Sequence, residues 1–265
     1  MRRQPGTKKT PTSLLSTPAI HRAVLEALAK IGAQLQGDYL DIGSGAGSLL
    51  ARVIERFPMR PFACDYTDQL MKLPEQRVDI VDLNHGSLPY PDNQFALITC
   101  VETIEHLNNF RAVFAEIYRV LRPGGWVVIT TPNILNLRSR LRYLTFGFHN
   151  LFGPLAVGEE KIHNPYGHIS PVGWFYLAHA LLNVGFDRLT LSVDRYQRRS
   201  IFALLLLYIP IRLSAALSYW REAHKFRTIN AQNRPVVGAM NSLDILLGRT
   251  LIVAAQKPPA ASSLS

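Results

Sequence analysis

Residues 39–48 read Tyr-Leu-Asp-Ile-Gly-Ser-Gly-Ala-Gly-Ser, and this stretch decides the fold. An apolar run carries Asp41 near its end. A turn containing Gly43, Ser44, Gly45 and Gly47 follows. Leu49, Leu50, Val53 and Ile54 then begin a helical pattern at once. Glycines in such a turn let backbone approach a ligand with no Cβ in the way. The first N–H groups of the helix are free to face an anionic group. The spacing is Gly-x-Gly-x-Gly, whereas a dinucleotide fingerprint would need its third glycine where Ser48 stands. The turn alone occurs in many α/β proteins, so its meaning depends on what surrounds it.

Outward from the turn, strand-like runs fall near residues 39–42, 61–64, 78–81, 95–101 and 126–131, with Leu189, Leu191 and Val193 as a sixth and Leu251–Ala255 as the last. The first five are nearly continuous in apolar character, as parallel strands buried on both faces are. Helical patterns alternate with them. Thr17-Pro18 starts one, with Ile20, Val24, Ala27, Leu28 and Ile31 as its stripe and Gly32 as its stop. Phe110, Val113, Phe114, Ile117 and Leu121 mark another, closed by Pro123-Gly124-Gly125. A third is expected from Ser170-Pro171 to Gly185. The pattern predicts a doubly wound, Rossmann-like α/β fold: a mostly parallel seven-stranded sheet with helices on both faces. No internal repeat is visible.

More motifs follow in order. Phe62-Ala63-Cys64-Asp65 ends a strand in an acid about 20 residues past the glycines, where such folds place a ribose-binding carboxylate. Val78–Val81 leads to Asp82-Leu83-Asn84. Next come Leu88 to Ile98, Val101-Glu102-Thr103-Ile104-Glu105-His106-Leu107, and Leu121-Arg122-Pro123-Gly124-Gly125-Trp126 before Val127 to Asn133. This ordered run, residues 36 to 133, resembles the class I S-adenosylmethionine-dependent methyltransferases of the type 11/23 kind, and is similar to ubiquinone-pathway O-methyltransferases. The resemblance implies S-adenosyl-L-methionine as cofactor. It assigns the methionine moiety to Asp41, Gly43, Gly45 and Gly47, the ribose to Asp65, the adenine to Asp82 and Leu83, and the ground beneath the amino acid end to the carbonyls near Cys100 and Val101. Ser44 and Tyr66 complete the cofactor set. A looser similarity of Asn133–Phe146, and of His168-Ile169-Ser170-Pro171 with Leu182 and Gly185-Phe186, to bacterial methyltransferases of cell-surface polysaccharide or lipid-linked substrates suggests an acceptor class.

On the acceptor side the candidates are Glu102, Glu105 and His106, whose i, i+3, i+4 spacing would put them on one helical face, and the later His163 and His168. Three readings stay open. His106 or His168 is a general base with a pKa near working pH. Glu102, Glu105, His106 and His168 hold a hard divalent metal, as the similar Glu-x-x-Glu-His of some ubiquinone-pathway and small-RNA O-methyltransferases suggests. Or Glu105-His106 is only a structural helix start. Whether a divalent metal is used is left open.

The chain has 265 residues, 48% of them hydrophobic, enough for one core with an appended element. Cys64 and Cys100 fall in the second and fourth strands with the first between them, so reduced buried thiols and a cytosolic setting are expected. The basic N-terminus is followed by no apolar core and does not read as a signal peptide. Residues 1–15 and 259–265 are expected to be disordered tails. The methyltransferase domain is expected over 16–258.

The net charge is +10. Arg138, Arg140 and Arg142 sit in an apolar helix-like stretch. Arg195, Arg198 and Arg199 precede, and Arg221, Lys225 and Arg227 follow, the most apolar segment, Ile201 to Ile211. These positions favour an anionic membrane surface. No aromatic–basic interleaving points to nucleic acid. The hydrophobic helical insertion, about 196–248, holds at residues 201–220 an interfacial or re-entrant helix, a lid or dimer contact, or a span. Eleven apolar residues fall short of the roughly 20 a span needs, and Pro210 would kink it.

The expected activity is O-methylation of a hydrophobic or membrane-associated acceptor, a quinone precursor or lipid-linked sugar, in the cytoplasm or at the inner face of the membrane. The alternative is a soluble small-molecule methyltransferase. A non-catalytic scaffold and an RNA methyltransferase follow behind. The oligomeric state is left open.

Overall fold

The computed structural model describes residues 16–32, 35–155 and 167–260. Its seven-stranded sheet has the order β3-β2-β1-β4-β5-β7-β6. The strands are β1 (Gly37–Ile42), β2 (Met59–Asp65), β3 (Val78–Ile80), β4 (Phe95–Val101), β5 (Leu121–Pro132), β6 (Asp187–Val193) and β7 (Thr250–Gln256). Strands β1 to β5 pair in parallel, and β7 runs antiparallel to both β5 and β6. The expected strand count and mostly parallel sheet are therefore present.

Alternation along the strands sorts side chains into two cores. Leu40, Ile42, Ile98, Cys100, Val127, Ile129, Leu251 and Val253 face one side, where α3 (Phe110–Val120) brings Val113, Phe114 and Ile117 and α5 (Trp174–Val184) brings Leu177 and Leu181. Tyr39, Leu97, Val128, Ile252 and Ala254 face the other, where α1 (Pro18–Ile31) brings Ile20, Val24 and Leu28 and α2 (Ser48–Arg56) brings Leu49, Leu50 and Val53. The two-residue strand period and the 3.6-residue helix period meet at these layers. Each fully buried leucine or phenylalanine there is worth about 2–5 kcal/mol against alanine.

Local signals set most boundaries. Thr17 Oγ1 accepts from Ile20 N at 3.4 Å to cap α1, and Gly32 ends it. Cys64 and Cys100 are free and buried, both beside Ile42 of the intervening β1. Burial pushes both thiols up.

Two boundaries differ from expectation. Helix α5 starts at Trp174 after Gly173, not at Ser170. Ser170 is engaged elsewhere: its hydroxyl donates to the Leu107 carbonyl. Residues 122–125 do not simply follow a helix: they loop out of β5, whose register against β4 jumps from Phe95–Leu121 to Leu97–Trp126.

The elements between β6 and β7 are α6 (Ile201–Arg221), a wider turn (Glu222–Phe226), α7 (Arg234–Gly238) and α8 (Leu243–Leu247). Helix α4 (Leu137–Phe146) follows β5, capped by Asn136, whose side chain accepts from Ser139 N at 2.9 Å.

Candidate active site

The sheet order sets the ends of β3, β2, β1 and β4 side by side. The turn after β1 is stitched to β2, since the Gly43 and Ser44 amides both donate to the Cys64 carbonyl at 2.9 and 3.2 Å. Gly43 (φ 71°) and Gly47 (φ 73°) are required by more than their backbone angles. A Cβ on Gly43 would run into the Thr103 side chain, and one on Gly47 would lie 2.7 Å from Met71 Sδ. Asp65 closes the turn from β2: Oδ2 accepts from Gly45 N at 2.8 Å and Oδ1 from Tyr66 N at 2.7 Å. Its burial raises its pKa against the pull of these amides.

Asp41 is buried at the floor. Thr99 Oγ1 donates to Asp41 Oδ1 at 2.6 Å and lies 2.7 Å from the Tyr39 hydroxyl. Burial outweighs the Thr99 hydrogen bond and pushes the Asp41 pKa up to about 7. A cavity above it is lined by Asp41, Gly43, Ser44 and Gly45 from the turn, Val101 and Glu102 from the end of β4, and Ser16 and His21 from the start of α1.

Ser16 and His21 escaped the sequence reading. Ser16 Oγ meets His21 Nε2 at 2.5 Å, and burial, then Arg52, lowers the His21 pKa to about 4. The available signal was slight: His21 is a polar residue beside the apolar stripe of α1.

The remaining cofactor candidates sit farther along the same edge. Tyr66 is exposed beside Asp65. Asp82, at the end of β3, accepts from Asn84 N and from His85 Nδ1, both at 2.9 Å. Leu83 packs on the core. Asp65, Tyr66, Asp82 and Leu83 do not line the cavity that Asp41 floors.

The acceptor-side residues divide into two groups, which corrects the single-face expectation. Glu102 has φ 50°, and only a single tight turn, Ile104–His106, follows it. With no helix through 102, the i, i+3, i+4 relationship fails. Glu102 instead forms a small ring with Thr130, whose Oγ1 accepts from Glu102 N and donates to Glu102 Oε1, each at 3.0 Å. Burial raises its pKa.

Glu105, His106 and His168 do converge, each offering a ligand atom within 4.8 Å of the others. Glu105 is fully buried, and neither carboxylate oxygen makes a hydrogen bond of acceptable geometry, although Thr131 lies nearby. Burial first, then the charge of Glu102, drives its pKa well up. His106 Nδ1 donates to the Gly167 carbonyl at 3.0 Å, which leaves the Nε2 lone pair available. The His106 and His168 rings meet edge-on at 4.9 Å, and Phe152 is 5.1 Å from His168. Burial lowers both histidine pKa values; His168, further lowered by His106, reaches about 4. The amides of Ile169 and Ser170 donate to the Glu105 carbonyl at 2.9 and 3.0 Å, strapping this segment down. His163 lies outside the described residues.

Residues 40–129 match the family model described as "Methyltransferase domain". The chain carries a methyltransferase domain.

Among curated relatives, a Mycolicibacterium smegmatis protein named "Probable S-adenosylmethionine-dependent methyltransferase/" is 34% identical over 99 residues, covering 36% of this chain and 38% of its own. The "Ubiquinone/menaquinone biosynthesis C-methyltransferase UbiE" of Psychromonas ingrahamii is 30% identical over 137 residues, covering 46% of this chain and 54% of its own. The chain thus spans about half or less of these relatives' lengths. A solved S-adenosylmethionine-dependent methyltransferase from Archaeoglobus fulgidus superposes with a TM-score of 0.54 at 17% identity, covering 89% of this chain and 94% of its own. That likeness in fold covers far more of the chain than the matched residues 40–129.

Proposed function

We propose that the protein transfers the methyl group of S-adenosyl-L-methionine to an oxygen of a hydrophobic or membrane-held acceptor. The observation that carries the cofactor is the Asp65–Gly45 closure of the glycine turn beside the Asp41-floored cavity. On this reading Asp41, Gly43, Ser44, Gly45 and Gly47 cradle the amino acid end with Val101. Asp65 and Tyr66 take the ribose. Asp82 and Leu83 take the adenine, one strand farther out.

The cofactor, when bound, supplies an electrophilic methyl on a sulfonium. The chain's task is alignment, which carries much of the rate in an in-line displacement. His106 Nε2, its ring fixed by the Nδ1–Gly167 bond, takes the proton that the acceptor hydroxyl loses as its oxygen gains the methyl. The quinone-pathway relative from Psychromonas ingrahamii favours a quinone-class acceptor, although its printed name specifies methylation at carbon rather than oxygen.

A second reading is favoured by the unpartnered Glu105 carboxylate: Glu105, His106 and His168 hold a divalent cation that would polarise the acceptor hydroxyl. Mn2+ titrated alone into the apoprotein should then raise its melting temperature, and Glu105→Gln should abolish the rise. No shift removes this reading and leaves His106 as the base.

The first reading is tested by calorimetry with S-adenosylmethionine and by mass spectrometry of extracts from cells with and without the gene. Binding, plus one lipid-extract species lacking a methylene unit without the gene, is expected. A change only in the polar extract would point to a soluble acceptor, and absent cofactor binding to a scaffold.

A further inference from the structure

Helix α6 is 21 residues long, about 31 Å at 1.5 Å per residue. It has two apolar faces with different fates. Ala203, Leu204, Leu207 and Ile211 repeat at helical spacing and pack on Leu137, Leu246 and Leu247 of the domain. On the opposite face Phe202, Leu205, Leu206, Ile209, Leu213, Leu217 and Trp220 recur every three or four residues. All are exposed, Phe202 by 80% and Leu206 by 78%. The outer stripe has no partner within the described residues.

The charges around it have one sign. From Arg195 to Arg227 there are seven basic residues and one acid, Glu222. Six of them gather at the two ends, with Tyr219, Trp220 and Phe226 beside the second group, and Arg212 lies midway along the helix. Aromatic and basic residues at the ends of an apolar stripe suit the headgroup level of a bilayer.

Topology rules out a single crossing. The chain enters α6 from Ser200, buried against the domain, and returns at Val236, also buried, whose carbonyl accepts from the Trp174 indole at 3.0 Å. The link, residues 227–233, is polar and bonds within itself, as in Asn233 Nδ2 to the Thr228 carbonyl at 2.9 Å. Such a segment cannot recross hydrocarbon, where backbone groups need internal partners. Self-pairing of the stripe is also disfavoured. Parallel or antiparallel, it would set basic ends against basic ends.

We propose that α6 lies in the plane of an anionic lipid leaflet, its outer stripe in the acyl boundary and its basic ends on the headgroups. Helix α4 lies against α6: Leu137 packs on its inner face, and Leu144 and Phe146 of α4 are exposed. Arg142 of α4 donates to the Phe152 carbonyl at 3.0 Å, and the Phe152 ring touches His168. The docked face therefore leads to the acceptor-side cluster; that link, unlike docking itself, rests on the proposed function.

The test is flotation of the full chain with phosphatidylcholine vesicles, with and without phosphatidylglycerol, following Trp220 emission. Binding to the anionic vesicles at least about tenfold tighter than to the neutral ones is expected, with a blue shift that Trp220→Phe removes. Leu206→Glu/Ile209→Glu should weaken vesicle binding at least about tenfold. Arg198→Ser/Arg199→Ser/Lys225→Ser should abolish the anionic preference. Failure to float, or flotation indifferent to Leu206→Glu/Ile209→Glu, overturns the proposal. So does a dimer, in sedimentation velocity without lipid, that these two substitutions dissociate, because a second copy would then be the occupant. Calorimetry with S-adenosylmethionine on the same variants reads separately: lost cofactor binding with intact flotation removes the methyltransferase reading and leaves the docking.

Discussion

The Asp65 carboxylate accepts the Gly45 amide at 2.8 Å, so the end of β2 holds the turn that follows β1. One of its oxygens thus sets the shape of the turn and the other accepts from Tyr66 N; in the proposed function the same carboxylate takes the ribose. Asp65→Ala should weaken S-adenosylmethionine binding by about 1–3 kcal/mol. Calorimetry checks this, and unchanged affinity would sink the cofactor placement. Asp65→Asn, which keeps an acceptor for Gly45 N, should lose less.

Asp41 yields a prediction about stability and pH. Its folded pKa is raised from 3.8 to about 7, chiefly by burial. The folded state keeps a proton that the unfolded chain has already released near pH 4. Unfolding between about pH 4 and 7 therefore releases that proton, and the Asp41 contribution falls as pH rises through this window; above it both states are ionised and the contribution is constant. Asp41→Asn keeps an oxygen for Thr99 and cannot ionise. Relative to wild type it should gain stability between pH 4 and pH 8, by at most about 4 kcal/mol at roughly 1.4 kcal/mol per pKa unit. Urea unfolding at both pH values measures the difference. An equal offset at the two would mean that Asp41 ionises normally.

His106 gives the matching prediction for turnover. Burial holds its pKa below 6.5, so the neutral base persists to lower pH than an ordinary histidine would. The acid limb of kcat/KM on an acceptor-containing lipid extract should have its midpoint below 6.5. His106→Ala should slow turnover by about 10²-fold or more and leave cofactor affinity near wild type. Undiminished turnover removes His106 from the mechanism.

The residues that were legible from sequence are those whose signal is local. Thr17 and Gly32 bracket α1 because the cap needs a side-chain oxygen and the positive φ of 77° at the end favours a residue without a Cβ. The strand alternation between Tyr39 and Leu40, or Leu97 and Ile98, is read directly into two cores. The failures are tertiary. Nothing in the sequence announces φ 50° at Glu102, which turns an apparent helical face into two separate groups. Ser170-Pro171 looks like a helix start, yet the Ser170 hydroxyl is taken by the Leu107 carbonyl and the helix waits for Trp174. His21 joins the cavity only because α1 folds back over the β1 turn. The apolar faces of α6 blur each other's period, so that only the packing of Leu204 and Leu207 separates inside from outside.

At Gly43 the steric and the conformational cost of a side chain can be separated. Its φ of 71° lies in the left-handed region, which costs a non-glycine residue about 1–2 kcal/mol. An added Cβ would also meet the Thr103 hydroxyl, which donates to the Val101 carbonyl at 3.1 Å and so cannot swing away freely. Gly43→Ala should therefore destabilise by about 2–4 kcal/mol, the strain plus an overpacking cost. Thr103→Ala removes the obstructing hydroxyl and methyl, so in the double variant only the backbone part should remain. A double-mutant cycle by urea unfolding should show a coupling of about 1 kcal/mol or more in the compensating direction. Strict additivity would mean that Thr103 yields without cost. The close approach of the β1 turn to the end of β4 would then not be what demands glycine at 43, leaving the left-handed backbone alone to do so.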